Sequence, residues 1–282
     1  MFNVIKMELH RLLRSKSLYV TAGVCAGTIL LLIMLTAAVM EALTYIPEET
    51  VSVSDAVSEM TVTASDTVSI SGTTNPVNFC GSFINGVCAI IVVIFVAIFI
   101  HGFYKDGYSK NVIACVRSRW YFQAARAVCV AVYCAILLVV ASLTSILSAA
   151  VFVKDFELSC MGVFFLFLLG EFLLLNAIGL LSALLTELTY SKVTAIVYIL
   201  LASTNLVSGL LSLLESKLSD IFNTEIVLWK YLPSLYQSNY GLEAPDTSGN
   251  GAIMTHAVLL SLAFIAIYNL AGALLITKRD VK

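Results

Sequence analysis

Six long apolar runs, at about 18–40, 80–103, 127–153, 159–185, 193–214 and 254–276, alternate with polar stretches along the chain. An apolar run of about 18 or more residues with few charges is long enough to cross a bilayer as a helix. The pattern therefore predicts an all-α integral membrane protein with six transmembrane helices, a single transmembrane domain over 1–282. Interruptions are few: Glu171 stands inside the fourth run, and Ser203, Thr204 and Asn205 inside the fifth. Ahead of the first run, Phe2, Ile5, Leu9, Leu12 and Leu13 recur at helical spacing among Lys6, Arg11, Arg14 and Lys16. This predicts an amphipathic interfacial helix over 1–17, apolar face down on the membrane. A signal peptide also sets a basic region before an apolar one. However, Leu18–Met40 runs 23 residues, beyond the roughly 7–15 of a signal core, and no small-residue cleavage site follows.

The two longest polar stretches differ in character. Residues 41–79 are rich in Ser, Thr and Val and carry six acids with no Lys or Arg. Alternation at Val51/Val53, Met60/Val62 and Val68/Ile70 fits short strands, and a flexible loop fits equally. In 215–253, the run Leu214, Leu218, Ile221 and Phe222 has helical spacing, and Trp229, Tyr231, Tyr236 and Tyr240 follow around Pro233. Aromatic residues of this kind sit at the headgroup level, so this stretch predicts a partly embedded element before a polar turn at 246–251.

Charge placement orients the spans. With the N-terminus, 104–126, 186–192 and the C-terminus on one side, that side holds thirteen of the sixteen Lys and Arg; Lys154, Lys217 and Lys230 lie on the other. Thirteen of the eighteen acids fall opposite. Basic loops stay in the cytoplasm, so both termini and 104–126 are expected inside, with 41–79 and 215–253 as long extracellular loops.

The 104–126 loop carries more than charge. From Ser109 onward, Val112, Ile113, Val116 and Trp120 share one helical face, while Lys110, Ala114 and Arg117 share another. A short amphipathic helix at 109–120 would suit a soluble partner; a solvated basic loop that only fixes topology is the alternative. Within the spans, Gly23 and Gly27 form a small-xxx-small pair that permits close helix approach. Phe95, Phe99 and Phe103 form a stripe suited to lipid, a neighbouring helix or a substrate path. Glu171 is an acid at bilayer depth, where charge is costly and function is the default hypothesis; a carboxyl satisfied by a neighbouring helix is the structural alternative. Glu171, Asn176, Asn205, Phe95 and Phe99 are the candidate lining of a translocation path.

Composition agrees with a membrane protein: the 282 residues are 60% hydrophobic and 12% charged, against about 25% charged in soluble domains. Among the seven cysteines no CxxC pair occurs, so a metal or redox motif has no support; a Cys80–Cys160 disulfide is the remaining pairing to consider. No Gly precedes Lys and no His precedes Glu, which removes the phosphate-binding loop and the zinc-protease motif. No Gly-x-Ser-x-Gly elbow occurs either. The chain is therefore expected to have no catalytic residues, metal or cofactor of its own.

Taken together, the interfacial helix, six spans and basic loop between spans two and three resemble the permease subunits of type-2 ABC exporters. Asp106-Gly107-Tyr108-Ser109-Lys110-Asn111, then Arg119 and Arg126, is similar to that family's Gly-x-x-Lys-Asn…Arg…Lys coupling segment. Arg126 replaces the expected Lys, and Asp106 a frequent Glu, with charge kept. More narrowly, the chain resembles permeases for lantibiotic immunity and phenol-soluble modulin export. The resemblance implies a second permease chain, as homodimer or heterodimer, and two copies of a soluble ABC ATPase that hold the ATP and Mg. It implies docking through Lys110, Val112, Ile113, Val116, Arg117, Arg119 and Trp120. It also implies a bacterial plasma membrane and an amphipathic or hydrophobic peptide cargo; nucleic acid is not an expected partner. Other classes that fit the residues are a membrane scaffold or sensor, an intramembrane enzyme using Glu171, and an exporter of glycoconjugates or drugs.

Overall fold

A computed structural model describes residues 2–44, 76–105, 119–152, 161–203, 206–222, 229–240 and 251–278. Among them the regular elements are helices α1 (Phe2–Arg14), α2 (Lys16–Thr44), α3 (Pro76–Lys105), α4 (Arg119–Phe152), α5 (Met161–Thr189), α6 (Lys192–Ser203), α7 (Leu206–Phe222), α8 (Pro233–Tyr240) and α9 (Gly251–Lys278), with a 3-10 turn at Trp229–Tyr231. Five of them, α2, α3, α4, α5 and α9, are long and apolar enough to cross a membrane. The chain is thus an all-helical, multi-pass membrane protein in its described residues. Helices are what such sequences must form, because a bilayer offers no water to satisfy exposed backbone N–H and C=O groups.

Side-chain contacts fix the directions. Arg11 of α1 lies beside Phe99 and Phe103 near the end of α3. Arg126 near the start of α4 meets Glu187 near the end of α5. Gln123 of α4 fills the space beside Gly272 near the end of α9. Therefore α3, α5 and α9 run toward α1, and α2 and α4 run away from it. Helices α3 and α5 are the most enclosed of the long helices. At Gly179 helix α5 comes close to both α4 and α3: an added Cβ would sit 2.7 Å from Val130 Cγ1 of α4 and 3.3 Å from Val92 Cγ1 of α3. Small residues serve this purpose in membranes, where packing rather than water exclusion joins helices. Ser182 Oγ donates to the Val93 carbonyl oxygen at 3.1 Å, and Tyr133 Oη to Thr21 Oγ1 at 3.1 Å, adding polar links from α5 to α3 and from α4 to α2.

Several boundaries differ from the sequence pattern. The expected 1–17 helix divides at Ser15, whose hydroxyl donates to the Leu12 carbonyl oxygen at 2.7 Å; such local bonds compete with the helix. The third run is helical from Arg119, not 127, and the fourth continues to Thr189. The α5–α6 link is then Tyr190 and Ser191. Tyr190 takes φ 54°, the left-handed conformation that commonly closes a helix, and Ser191 Oγ accepts from the Val193 N–H at 3.3 Å to start the next.

Of the fifth run, the described residues form α6, 12 residues long, and α7; Thr204 and Asn205, two of the polar trio, lie outside the described residues. Most of 41–79, where the sequence fits short strands or a flexible loop equally, and Cys160, one half of the Cys80–Cys160 pairing considered above, also lie outside them.

Candidate functional site

Two polar constellations are buried at opposite ends of the bundle. The first is at the α1 end. Arg126 is 1% exposed, and its Nη1 donates to Glu187 Oε1 and reaches Tyr104 Oη at 3.5 Å. Its guanidinium lies 4.2 Å from the Phe122 ring centroid and 4.8 Å from that of Phe103. Arg11 adds a second guanidinium 3.8 Å from the Phe103 centroid. Glu8, buried one helical turn before Arg11, acts electrostatically on Arg126. Two acids and two guanidiniums thus share an aromatic enclosure with no formal net charge. Aromatic faces attract guanidinium, more so when desolvated, and burial of charge is tolerable when it is paired.

This arrangement corrects the placement of three charges. Arg126 is part of helix α4 rather than a solvent-facing loop cation, and Glu187 is part of α5 rather than a surface link. Glu8 faces the bundle, so the stripe of α1 that was expected to lie on lipid is largely a protein contact. Leu12 on it is 0% exposed and Leu9 packs against the core, while Leu13 is 43% exposed. Ile5 is half-buried, and the Phe2 side chain lies outside the described residues. One signal was present in the sequence: Glu8 sits at i+4 from Val4 and i−4 from Leu12, an acid in the middle of an apolar stripe.

The second constellation is formed by α3, α5 and α8. Gln237 Nε2 of α8 donates to Glu171 Oε1 at 2.7 Å and to the Asn85 carbonyl oxygen at 2.7 Å. Both acceptors fix the amide orientation, because the side-chain oxygen in that place would face two oxygens. Glu171 is 0% exposed, and among the described residues its only hydrogen-bond partner is Gln237. Glu171 Oε2, the Asn85 carboxamide and the Tyr240 hydroxyl have no hydrogen-bond partner there. Tyr240 stacks on Phe167 at 5.3 Å and occupies the notch left by Gly170, where a Cβ would come 2.8 Å from its Cζ. Asn85 of α3 and Glu171 of α5, like Gln237 of α8, are buried. Helix α8 therefore packs into the bundle, and Tyr236 and Tyr240, expected at the headgroup level, are buried in protein.

The remaining predicted site residues separate. Phe95 and Phe99 are core residues rather than path lining: Phe95 stacks on Tyr133 at 3.7 Å, Phe99 packs on Phe95 at 5.7 Å, and Arg11 covers Phe99. Asn176 is buried with its Oδ1 unpartnered among the described residues; it is not bonded to Glu171. Gly23 and Gly27 face open space rather than a neighbouring helix. Lys110, Val112, Ile113, Val116 and Arg117 lie outside the described residues, as does Asn205. Arg119 begins α4, and Trp120 is exposed on its first turn. No group of three His, Cys, Asp or Glu able to hold a metal occurs among the described residues. No protein-family model matches the chain, and no curated protein matches it.

Proposed function

We propose that this chain is the permease subunit of an ATP-driven exporter of the type-2 ABC kind. In this function it sits in the plasma membrane with six spans, α6 and α7 together making the additional crossing, and both termini in the cytoplasm. A partner ATPase docks on 109–120, holds the ATP and Mg, and drives alternating access for an amphipathic or hydrophobic peptide carried between two permease chains.

One observation carries this function: both roots of the basic segment are tied to other helices. Tyr104, one residue before the end of α3, and Arg126, early in α4, meet each other, and Arg126 also pairs with Glu187 of α5. Arg11 of α1 shares the Phe103 ring with Arg126. A displacement imposed on the segment would pass into α1, α3, α4 and α5 instead of being absorbed locally. The peptide cargo rests chiefly on the resemblance, with the buried acid Glu171 as a lesser support.

The experiment is affinity purification of the tagged chain from its native membranes, with ATP hydrolysis assayed in the eluate. A soluble ATPase is expected to copurify at one copy per permease chain, with hydrolysis altered by complex formation. Recovery of a stoichiometric partner that does not hydrolyse ATP would support the scaffold or sensor class instead.

A further inference from the structure

Glu171 and Glu187 are two buried carboxylates on one helix with different neighbours. Glu187 has the guanidinium of Arg126. Glu171 has an uncharged amide, Gln237, and no cationic side chain bonds it among the described residues. A carboxylate removed from water with no cation and one oxygen unpartnered is an arrangement that proteins rarely leave unmet. The Gln237 amide sits between two acceptors, Glu171 Oε1 and the Asn85 main-chain carbonyl, while the second Glu171 oxygen, the Asn85 carboxamide and the Tyr240 hydroxyl, which can donate or accept, are unpartnered among the described residues.

The Gln237 amide shows what the place accepts. Its nitrogen spends two N–H bonds on a carboxylate oxygen and a carbonyl oxygen, each 2.7 Å away. A primary ammonium has the same first two donors, adds a third, and supplies the missing positive charge. Charge-assisted bonds of this kind are shorter and roughly twice as strong as neutral ones. The amide is brought in by α8, a helix of eight residues and not one of the long apolar ones. Besides Gln237, the bond between Tyr198 Oη and Ser234 Oγ at 2.9 Å and the seating of Tyr240 at Gly170 hold α8.

We propose that Glu171 and the Asn85 carbonyl form a binding site for a primary ammonium group, and that Gln237 is a tethered occupant which the ammonium displaces. In the export function proposed above, on which the cargo assignment rests, the ammonium is a lysine side chain or free amino terminus of the peptide. Displacement of Gln237 would release α8 from Glu171, so that cargo arrival and movement of this plug are one event.

The test uses the purified full-length chain in detergent without any ATPase, and butylammonium chloride as probe. Tetramethylammonium chloride at equal ionic strength is the control, because it carries the charge but no N–H donor. Butylammonium should raise the unfolding temperature of the wild type above that in tetramethylammonium, and Glu171→Gln should remove the difference. Gln237→Ala should lower the half-saturating butylammonium concentration by roughly tenfold, since a competing internal occupant taxes apparent affinity. Gln237→Lys brings its own ammonium: it should unfold at a higher temperature than the wild type and ignore butylammonium. This variant keeps the proposal testable if Glu171→Gln does not fold. Equal shifts by the two cations, a response retained in Glu171→Gln, or a destabilised Gln237→Lys would each overturn the site. Loss of the butylammonium response with ATPase association intact would end this inference alone. A response that stands while no ATPase associates would end the export function and leave an amine site.

Discussion

Arg126 of α4 and Glu187 of α5, 61 residues apart in sequence, form a buried ion pair at the end of the bundle where α1 packs. The pair, enclosed by Phe103, Phe122 and Tyr104, joins the root of the basic segment to a helix that carries a further buried acid, Glu171. Removing one member of a buried pair leaves the other uncompensated, which costs about 3–5 kcal/mol, whereas apolar replacement of both is often near neutral. Glu187→Leu alone should therefore lower the unfolding temperature strongly, and Arg126→Met with Glu187→Leu should recover most of the loss. A double variant as unstable as the sum of the singles would show that the pair is not the unit, and that Glu8 and Arg11 are bound into it.

Helix α1 carries a second expectation. Leu12 is fully buried on α1 and Leu13 is 43% exposed beside it. Leu12→Ala should cost about 2–5 kcal/mol, the usual range for a buried leucine, and Leu13→Ala under about 0.5 kcal/mol. Thermal unfolding in detergent compares them directly. Equal, small effects would mean that α1 rests on lipid rather than on α4.

At Gly179 the packing is tight enough for a single methyl to matter. An added Cβ would meet Val130 Cγ1 at 2.7 Å, so Gly179→Ala should destabilise by about 1–3 kcal/mol through overpacking. Val130→Ala in the same chain should restore stability by opening the space. Failure of that rescue would place the strain at Val92 instead.

The proposed orientation can be read by labelling single cysteines, in a background without the native ones, in intact cells. Sites at 60 and 245 should react from outside, and sites at 110 and 281 only after permeabilisation. External labelling at 110 would turn the basic segment away from ATP and remove the basis for coupling.

The helical skeleton was legible in the sequence because apolar runs of more than about 18 residues admit little else. Its long helices run past the predicted ends at 40, 80, 103, 185, 254 and 276, since charged residues such as Glu187 can continue a helix once paired. The polar interior was legible only in part. Glu171 stands out as a lone acid in an apolar run, but its partner Gln237 and the Asn85 carbonyl that shares that amide come from segments 66 and 86 residues away, which no periodicity connects. Arg126, Glu187 and Glu8 were counted as markers of sidedness, because a count of basic residues does not separate a solvated cation from one enclosed by aromatic rings. Phe95 and Phe99 showed the right spacing for a stripe, yet spacing alone does not tell whether a stripe meets cargo, lipid or, as here, Tyr133 and Arg11.

The most direct test of the export function is association of the purified chain with its soluble ATPase, measured at two salt concentrations for variants of 109–120. Interface energy concentrates in a few central, dry contacts, while rim charges mainly set association rate. Val112, Ile113 and Val116 are the docking core in this account, with Trp120 at the edge. Ile113→Asp should abolish association without changing the unfolding temperature of the permease. Lys110→Ala and Arg117→Ala should each weaken it by about 1 kcal/mol or less, more at low salt than at high. Normal association of Ile113→Asp, with the basic variants inactive, would invert the docking face. If none of the three changes association, the 109–120 segment is not where force enters, and the central claim is contradicted.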